Sequence, residues 1–133
     1  MSFLIAIVVG VVVAVPVLVL AKRMTREGAL DLMAVQLGAI AAVYVGSSLA
    51  LGGIPLVATE MIGVTGFVVL ALMGRWGSVS LLVIGYAAHA VWDLLHYWGV
   101  FLTFLPEWYA PFCLGYDGIV AAFVAAVLMR RDG

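Results

Sequence analysis

Five ionisable side chains interrupt otherwise apolar stretches of this 133-residue chain, and their types are suited to metal or proton chemistry. A charged group inside a membrane is costly, so such residues usually face the protein interior and mark a function. The five are Glu60, His89, Asp93, His96 and Asp117. Asp31 lies near the end of its apolar stretch, where water can reach it, and is not counted with them.

Three of these residues follow the pattern His89-x3-Asp93-x2-His96. Offsets of four and three residues place all three side chains on one face of an α-helix. Asp93 and His96 have the i, i+3 spacing with which some helical bundles hold a metal between a carboxylate and an imidazole. His89 and His96 are about 10.5 Å apart along the helix axis. Both histidines would be strained in reaching one ion. His89 is therefore expected to hold a metal ligand in position, to act as a base or to bind a second ion.

Together these side chains predict a metal site inside the membrane. The candidate ligands are His89, Asp93, His96, Glu60 and Asp117, and the candidate catalytic groups among them are Glu60, Asp117 and His89. Carboxylates and imidazoles suit zinc, iron or manganese, and the pattern offers no thiolate for a soft metal. Two other interpretations remain open: a metal-free network that conducts protons or ions, and structural polar packing.

The elements that must position these groups are membrane-spanning helices. Hydrophobic residues make up 67% of the chain and charged residues 10%, with a mean hydropathy of +1.28. A soluble domain carries about 25% charged residues, and a chain of this size has too little interior to bury so many apolar side chains. The net charge of −1 argues against a nucleic-acid partner. The single cysteine, Cys113, excludes a disulfide framework.

Five apolar segments have the roughly 20 residues that a helix needs to cross the bilayer. They are residues 2–21, 29–51, 55–74, 78–101 and 110–129. We therefore predict an all-α, polytopic integral membrane bundle of five transmembrane helices, with residues 1–133 as a single domain. In the first segment the positive charges follow the apolar stretch, the reverse of a signal peptide, so we expect a retained helix.

The basic residues predict the orientation of this bundle. With five crossings, the first loop, the third loop and the C-terminus share one side of the membrane. All the basic residues fall in these places: Lys22, Arg23, Arg26, Arg75, Arg130 and Arg131. Because basic residues concentrate on the cytoplasmic side, we expect the N-terminus outside and the C-terminus in the cytoplasm, in the inner or plasma membrane. Four of the ionisable groups then share one layer about 7–12 Å below the outer face, with His89 deeper.

Small residues recur at every fourth position in two of the segments, which predicts close helix packing. They are Ala34, Gly38, Ala42, Gly46 and Ala50 in the second segment, and Gly118, Ala122 and Ala126 in the fifth. Packing within the bundle is favoured, and a homo-oligomer through these faces remains open. The other expected partner is the lipid bilayer.

The function that this pattern favours is a metal-dependent membrane enzyme, either a hydrolase or an oxidoreductase. A metal near the outer face would polarise a carbonyl, activate a water or bind oxygen. The loops are too short for a soluble substrate domain, so the expected substrate is lipidic or small and hydrophobic. A second hypothesis is a small proton- or divalent-cation-coupled transporter or channel. A third is an accessory subunit of a larger membrane complex.

Overall fold

The computed structural model describes residues 1–132, and over that range it confirms the all-helical prediction. Five α-helices follow one another: α1 (Phe3–Arg23), α2 (Arg26–Leu51), α3 (Ile54–Trp76), α4 (Ser80–Tyr97) and α5 (Tyr109–Phe123). A π-helical turn (Val124–Leu128) and a 3₁₀ segment (Met129–Asp132) continue α5. No β-strand occurs within the described range.

Four helical segments are long and apolar enough to cross a membrane: Phe3–Arg23, Arg26–Leu51, Ile54–Trp76 and Tyr109–Leu128. Helix α4 differs because two histidines and one aspartate, His89, Asp93 and His96, fall within its 18 residues. Those side chains are buried, whereas Ile84 and Val91 of the same helix are 52% and 56% exposed. The outward face of α4 is therefore apolar, like the outward faces of the other helices.

The helices pack in the spatial order α2, α3, α4, α5, α1, with α4 between α3 and α5. Helix α2 also touches α4, so the polar face of α4 is covered from three sides. Towards the end of the bundle where α2 begins, the core is apolar and includes Leu30, Met33, Leu37, Leu82 and Leu128. This arrangement confines the ionisable groups to the other half of the bundle.

Two glycines bring α1 and α5 into backbone contact. A Cβ at Gly10 would lie 2.0 Å from a backbone oxygen of α5, and one at Gly115 would lie 2.1 Å from a backbone oxygen of α1. Helix α1 buries small residues at every fourth position, from Ala6 through Gly10 to Ala14. Small residues at this spacing allow two helices to approach closely in a membrane. This backbone contact between α1 and α5 thus uses a row that the sequence interpretation did not single out.

The small-residue rows that the sequence did single out lie mostly on exposed faces. Ala34 is buried, and Gly38 is partly buried between α2 and α3. The other members are exposed, namely Ala42, Gly46, Ala50, Gly118, Ala122 and Ala126. Packing within this chain therefore uses only the first two positions of the row in α2.

Helix α4 ends at Tyr97, whereas the hydropathy pattern placed its end at residue 101. Gly99 has a φ of 74°, its N–H donates to the carbonyl oxygen of His96, and the N–H of Val100 donates to that of Leu95. These two hydrogen bonds form a Schellman motif, in which a left-handed glycine closes a helix. The chain can therefore leave the helix axis here and form the long connection to α5.

Candidate functional site

The structure buries all five predicted site residues and gathers them in one region of the bundle. Each is 3% exposed or less, with Glu60 on α3, Asp117 on α5 and the other three on one face of α4. They form two adjoining groups. The His–Asp cluster consists of His89, Asp93 and Asp117, and the His–Glu pair consists of His96 and Glu60.

In the His–Asp cluster, Nδ1 of His89 lies between two carboxylates. It is 2.7 Å from Oδ2 of Asp117 and 3.1 Å from Oδ2 of Asp93. The shorter contact is a hydrogen bond, whereas the longer one has ion-pair distance without hydrogen-bond geometry. One ligand atom from each residue lies within 4.8 Å of the other two. A single ion can therefore contact all three residues.

Several polar atoms of the cluster are orphaned. His89 Nε2, Asp93 Oδ2 and Asp117 Oδ1 are buried without a hydrogen-bond partner among the described residues. Each such atom costs about 1–3 kcal/mol, and a buried carboxylate costs more when its charge is not balanced. A divalent cation would balance the negative charges of the two carboxylates. It would also bind the two carboxylate oxygens that have no hydrogen-bond partner. The residues present therefore fit a divalent metal.

The donor set of the cluster narrows the choice of metal. Two carboxylates and one imidazole suit zinc, iron or manganese. Three protein ligands leave a coordination position for water or substrate, as in catalytic metal sites. Cys113 is buried one turn before Asp117 but does not belong to this group of ligand atoms.

Tyr44 of α2 connects the two groups. Its hydroxyl donates a hydrogen bond of 2.6 Å to Oδ1 of Asp93. Its ring stacks on the imidazole of His96, with 4.1 Å between the ring centroids. Partners of this kind orient metal-ligating carboxylates. Tyr44 is not one of the five predicted site residues, because an uncharged aromatic residue in an apolar helix is most often a packing residue.

The His–Glu pair holds a proton between its two members. Nδ1 of His96 lies 2.9 Å from the carbonyl oxygen of Trp92, and a carbonyl only accepts, so Nδ1 is the donor. Nε2 of His96 lies 2.9 Å from Oε1 of Glu60, and this hydrogen bond requires a further proton on one of the two atoms. The other oxygen, Oε2 of Glu60, has no partner within the described part of the chain. The pair can therefore give or take a proton.

A cavity of about 390 Å³ opens beside the His–Glu pair. It is lined by Tyr44, His96, Tyr97, Thr103, Leu105, Pro106, Glu107, Tyr109 and Ala110. The connection between α4 and α5 supplies much of this lining, and its course depends on the turn at Gly99. Tyr44 lines the cavity and also bonds Asp93. Tyr44 therefore links the wall of the cavity to the His–Asp cluster.

A further set of polar contacts lies deeper in the bundle, outside the five predicted site residues. The hydroxyl of Tyr86 donates to the carbonyl oxygen of Met33 at 2.8 Å and lies 3.2 Å from Oε1 of Gln36. The amide nitrogen of Gln36 donates to the hydroxyl of Tyr116. These contacts satisfy polar groups in the apolar half of the bundle, and the buried leucines surround them.

Fold and site together define a class: a helical bundle with helices of membrane-spanning length around a buried group of histidine and aspartate residues. The chain belongs to the DUF6010 family, a family of unknown function, whose profile matches residues 1–129. The matched range contains all five α-helices and all five site residues. Comparisons with curated proteins and with solved structures gave no match.

Proposed function

We propose that this protein is a metal-dependent membrane enzyme that acts on a lipidic or small hydrophobic substrate. The observation that carries the proposal is the His–Asp cluster, whose ligand atoms lie within 4.8 Å of one another on fully buried side chains. Burying two carboxylates is unfavourable unless a cation or protons balance them. Zinc, iron or manganese bound there would balance the charge and supply Lewis-acid chemistry.

The five predicted site residues then divide into two roles. His89, Asp93 and Asp117 hold the ion, with Tyr44 orienting Asp93. The His–Glu pair serves as the acid–base group, because His96 lines the cavity and shares a proton with the buried carboxyl of α3. A positioned acid or base of this kind contributes about 10²–10⁴-fold to a rate. The substrate enters through the cavity that Tyr44 and His96 line.

We infer that the bundle crosses an inner or plasma membrane five times, with the N-terminus outside. Four helical segments have the length and composition of spans. Helix α4 supports a fifth crossing, because its polar side chains are buried while Ile84 and Val91 are exposed. All the basic residues fall at the ends and loops that such a topology assigns to the cytoplasm. The cavity then opens towards the outer face.

Transport of protons or divalent cations is the second candidate, and one observation favours it. Tyr44, Asp93, His89 and Asp117 form a continuous chain of polar contacts through the buried region. Carboxylate and histidine chains of this kind serve as relays in membrane proteins. The described core towards the cytoplasmic end is apolar beyond Gln36 and its tyrosine partners, however. An enzyme needs access to its site from only one side of the membrane, whereas a transporter needs access from both sides.

Turnover by metal-loaded protein in lipid nanodiscs tests the proposal. The protein is loaded separately with zinc, iron or manganese and incubated with membrane lipid extracts, which are followed by mass spectrometry. We expect a metal-dependent change in lipid composition with wild type and none with Asp117→Asn. Glu60→Gln should keep its metal and lower the rate about 100-fold. Glu27→Gln, the same chemical change at the far end of the bundle, is the matched control.

Two results count against a metal-dependent enzyme at the His–Asp cluster. The first is turnover that Asp117→Asn leaves unchanged. The second is proton-coupled uptake of a divalent cation into proteoliposomes that the same variant abolishes, which would assign the cluster to transport. A homo-oligomer through the exposed small-residue faces stays a prediction, and the mass of the protein–detergent complex tests it.

A further inference from the structure

The cavity beside the His–Glu pair is lined by side chains that attract a cation. Three of them are tyrosines, Tyr44, Tyr97 and Tyr109, and one is a carboxylate, Glu107. The described lining contains no lysine and no arginine. The volume of about 390 Å³ falls in the range of sites that bind small molecules. The cavity can therefore take a positively charged group of a small molecule or of a lipid.

The charge of Glu107 is not balanced by a basic side chain. Glu107 is the one charged residue in the connection between α4 and α5, and its side chain forms no ion pair among the described residues. No lysine or arginine occurs between residues 27 and 74 or between residues 76 and 129. The basic residues are therefore confined to the opposite end of the bundle. A cation that enters this cavity meets a carboxylate and no lysine or arginine.

A single turn of the chain brings Glu107 and Tyr109 to the cavity. The N–H of Tyr109 donates to the carbonyl oxygen of Pro106 at 2.9 Å, which closes a turn around Glu107. The preceding part of the connection is held by Oγ1 of Thr103, which accepts from the N–H of Leu105 at 3.1 Å. All of these residues line the cavity. The connection therefore supplies a carboxylate and an aromatic ring to the same wall.

The tyrosine rings of this cavity come from three helices. The rings of Tyr44 on α2 and Tyr109 on α5 have centroids 5.9 Å apart and planes at 80°, so together they form a corner. The third ring, Tyr97 on α4, packs against Phe3 of α1 with 5.2 Å between the centroids. An aromatic ring attracts a cation that lies over its face within about 6 Å of the centroid. Several aromatic rings around one cavity are the arrangement that recognises quaternary ammonium groups.

The exposure of the lining residues gives the cavity an open end and a closed end. Tyr44 and His96 are 1% and 3% exposed, whereas Tyr97 is 42% exposed and Glu107 is exposed. Glu107 therefore lies at the mouth, and His96 lies at the closed end. A cationic group held by Glu107, Tyr97 and Tyr109 leaves the remainder of its molecule directed towards His96.

We propose that this cavity binds a quaternary ammonium group between Glu107 and the rings of Tyr97 and Tyr109. Such a group has no N–H to donate, so rings and a carboxylate recognise it better than a set of hydrogen-bond acceptors does. That this ligand is the substrate rests on the proposed function, and it specifies the substrate as a lipidic or small hydrophobic molecule with a quaternary ammonium group. Binding itself uses none of the residues of the His–Asp cluster and does not depend on a bound metal.

Isothermal titration calorimetry of the full chain in an uncharged maltoside detergent tests the proposal. Choline is compared at constant ionic strength with dimethylbutanol, the neutral isostere in which a carbon atom replaces the charged nitrogen. We expect one choline per chain to bind about tenfold more tightly than dimethylbutanol, since only choline gains from the rings and the carboxylate as a cation. Equal affinity for the two compounds in wild type overturns the proposal without the use of any variant.

Matched variants separate the carboxylate from the rings. Glu107→Gln should lower choline affinity about threefold, since an exposed charge contributes modestly, whereas Glu27→Gln, the same change at the other end of the bundle, should not. Tyr109→Leu should lower it about threefold, and Tyr109→Phe, which keeps the ring, should retain most of the affinity. Trp98→Leu is the control for the loss of a ring, because Trp98 is 67% exposed and does not line the cavity. Equal effects of Glu27→Gln and Glu107→Gln would show attraction by net charge alone and would overturn the proposal.

The same titration separates this proposal from that of a metal-dependent enzyme. Asp117→Asn, which should lose turnover, should bind choline as wild type does. Choline binding by wild type, with no lipid turnover by metal-loaded protein, would support the ammonium site and contradict the enzyme. Metal-dependent turnover, with equal affinity for choline and dimethylbutanol, would support the enzyme and overturn the ammonium site.

Discussion

The hydroxyl of Tyr44 donates a hydrogen bond of 2.6 Å to Oδ1 of Asp93. Both residues are buried, so α2 determines how a carboxylate on α4 is oriented. With Oδ1 engaged, Oδ2 is the oxygen that lies 3.1 Å from Nδ1 of His89 and has no hydrogen-bond partner among the described residues. Tyr44 thereby leaves the second oxygen of Asp93 available to an ion bound at the His–Asp cluster.

Removing this hydroxyl should weaken metal binding without removing a ligand. Tyr44→Phe keeps the ring that stacks on His96 but leaves Oδ1 of Asp93 buried without its donor. We expect the affinity for zinc to fall about 10–100-fold, measured by competition with a fluorescent chelator. Tyr97→Phe is the control, because Tyr97 lines the same cavity and is 42% exposed. Equal affinities in the two variants would refute the orienting role of Tyr44.

The glycine contact between α1 and α5 should be sensitive to a single methyl group. In Gly115→Ala the new Cβ would lie 2.1 Å from the carbonyl oxygen of Ile7, which forces the helices apart. We expect the free energy of unfolding to fall by about 1–3 kcal/mol. Cys113, 4% exposed, reports unfolding through its reaction with a thiol dye on heating. Gly118→Ala, whose new Cβ would meet nothing within 4 Å, should leave the transition unchanged, and equal transitions in the two variants would contradict the packing.

Two substitutions of Glu60 should separate its hydrogen bond from its charge. Glu60→Gln supplies an amide N–H to Nε2 of His96, whereas Glu60→Ala leaves that buried nitrogen without a partner. We expect Glu60→Ala to be the less stable variant by about 1–3 kcal/mol in chemical unfolding. Both should keep their metal. If Glu60→Gln loses its metal, Glu60 is instead a metal ligand, as the sequence pattern alone predicts.

Labelling of introduced cysteines from each side of the membrane tests the five-span topology. In a Cys113→Ala background, Glu107→Cys lies in the connection between α4 and α5, and Ser78→Cys lies between α3 and α4. We expect a membrane-impermeant maleimide to label Glu107→Cys in intact cells and Ser78→Cys only after permeabilisation. Labelling of both from the same side would contradict a crossing by α4.

The helices were predictable from hydropathy because the bilayer requires a long apolar segment for each span. Their ends were less predictable, since capping rather than hydropathy determines them. Helix α2 begins three residues before the predicted start, where Oγ1 of Thr25 accepts from the N–H of Gly28. Helix α4 ends early because Gly99 adopts a left-handed conformation. Gly99 could have indicated this helix end in the sequence, but the apolar residues that follow it extended the predicted segment to residue 101.

The five candidate residues could be picked out from the sequence, but their division into two groups could not. Charge in an apolar segment identifies each member, and the spacing on α4 places three of them on one face. Which carboxylate meets which histidine depends on how α3 and α5 are rotated against α4. His89 lies against Asp117, while His96 lies against Glu60 rather than sharing a centre with Asp93. Helix rotation follows from side-chain packing across the bundle, which hydropathy does not encode.

The measurement that tests the central claim most directly is elemental analysis of purified protein, with the metal supplied during purification. Wild type, Asp117→Asn and Glu60→Gln are compared by inductively coupled plasma mass spectrometry. We expect about one zinc, iron or manganese ion per chain in wild type and Glu60→Gln, and about a tenth or less in Asp117→Asn. Wild type without metal, or Asp117→Asn with the wild-type amount, would contradict a metal centre at His89, Asp93 and Asp117.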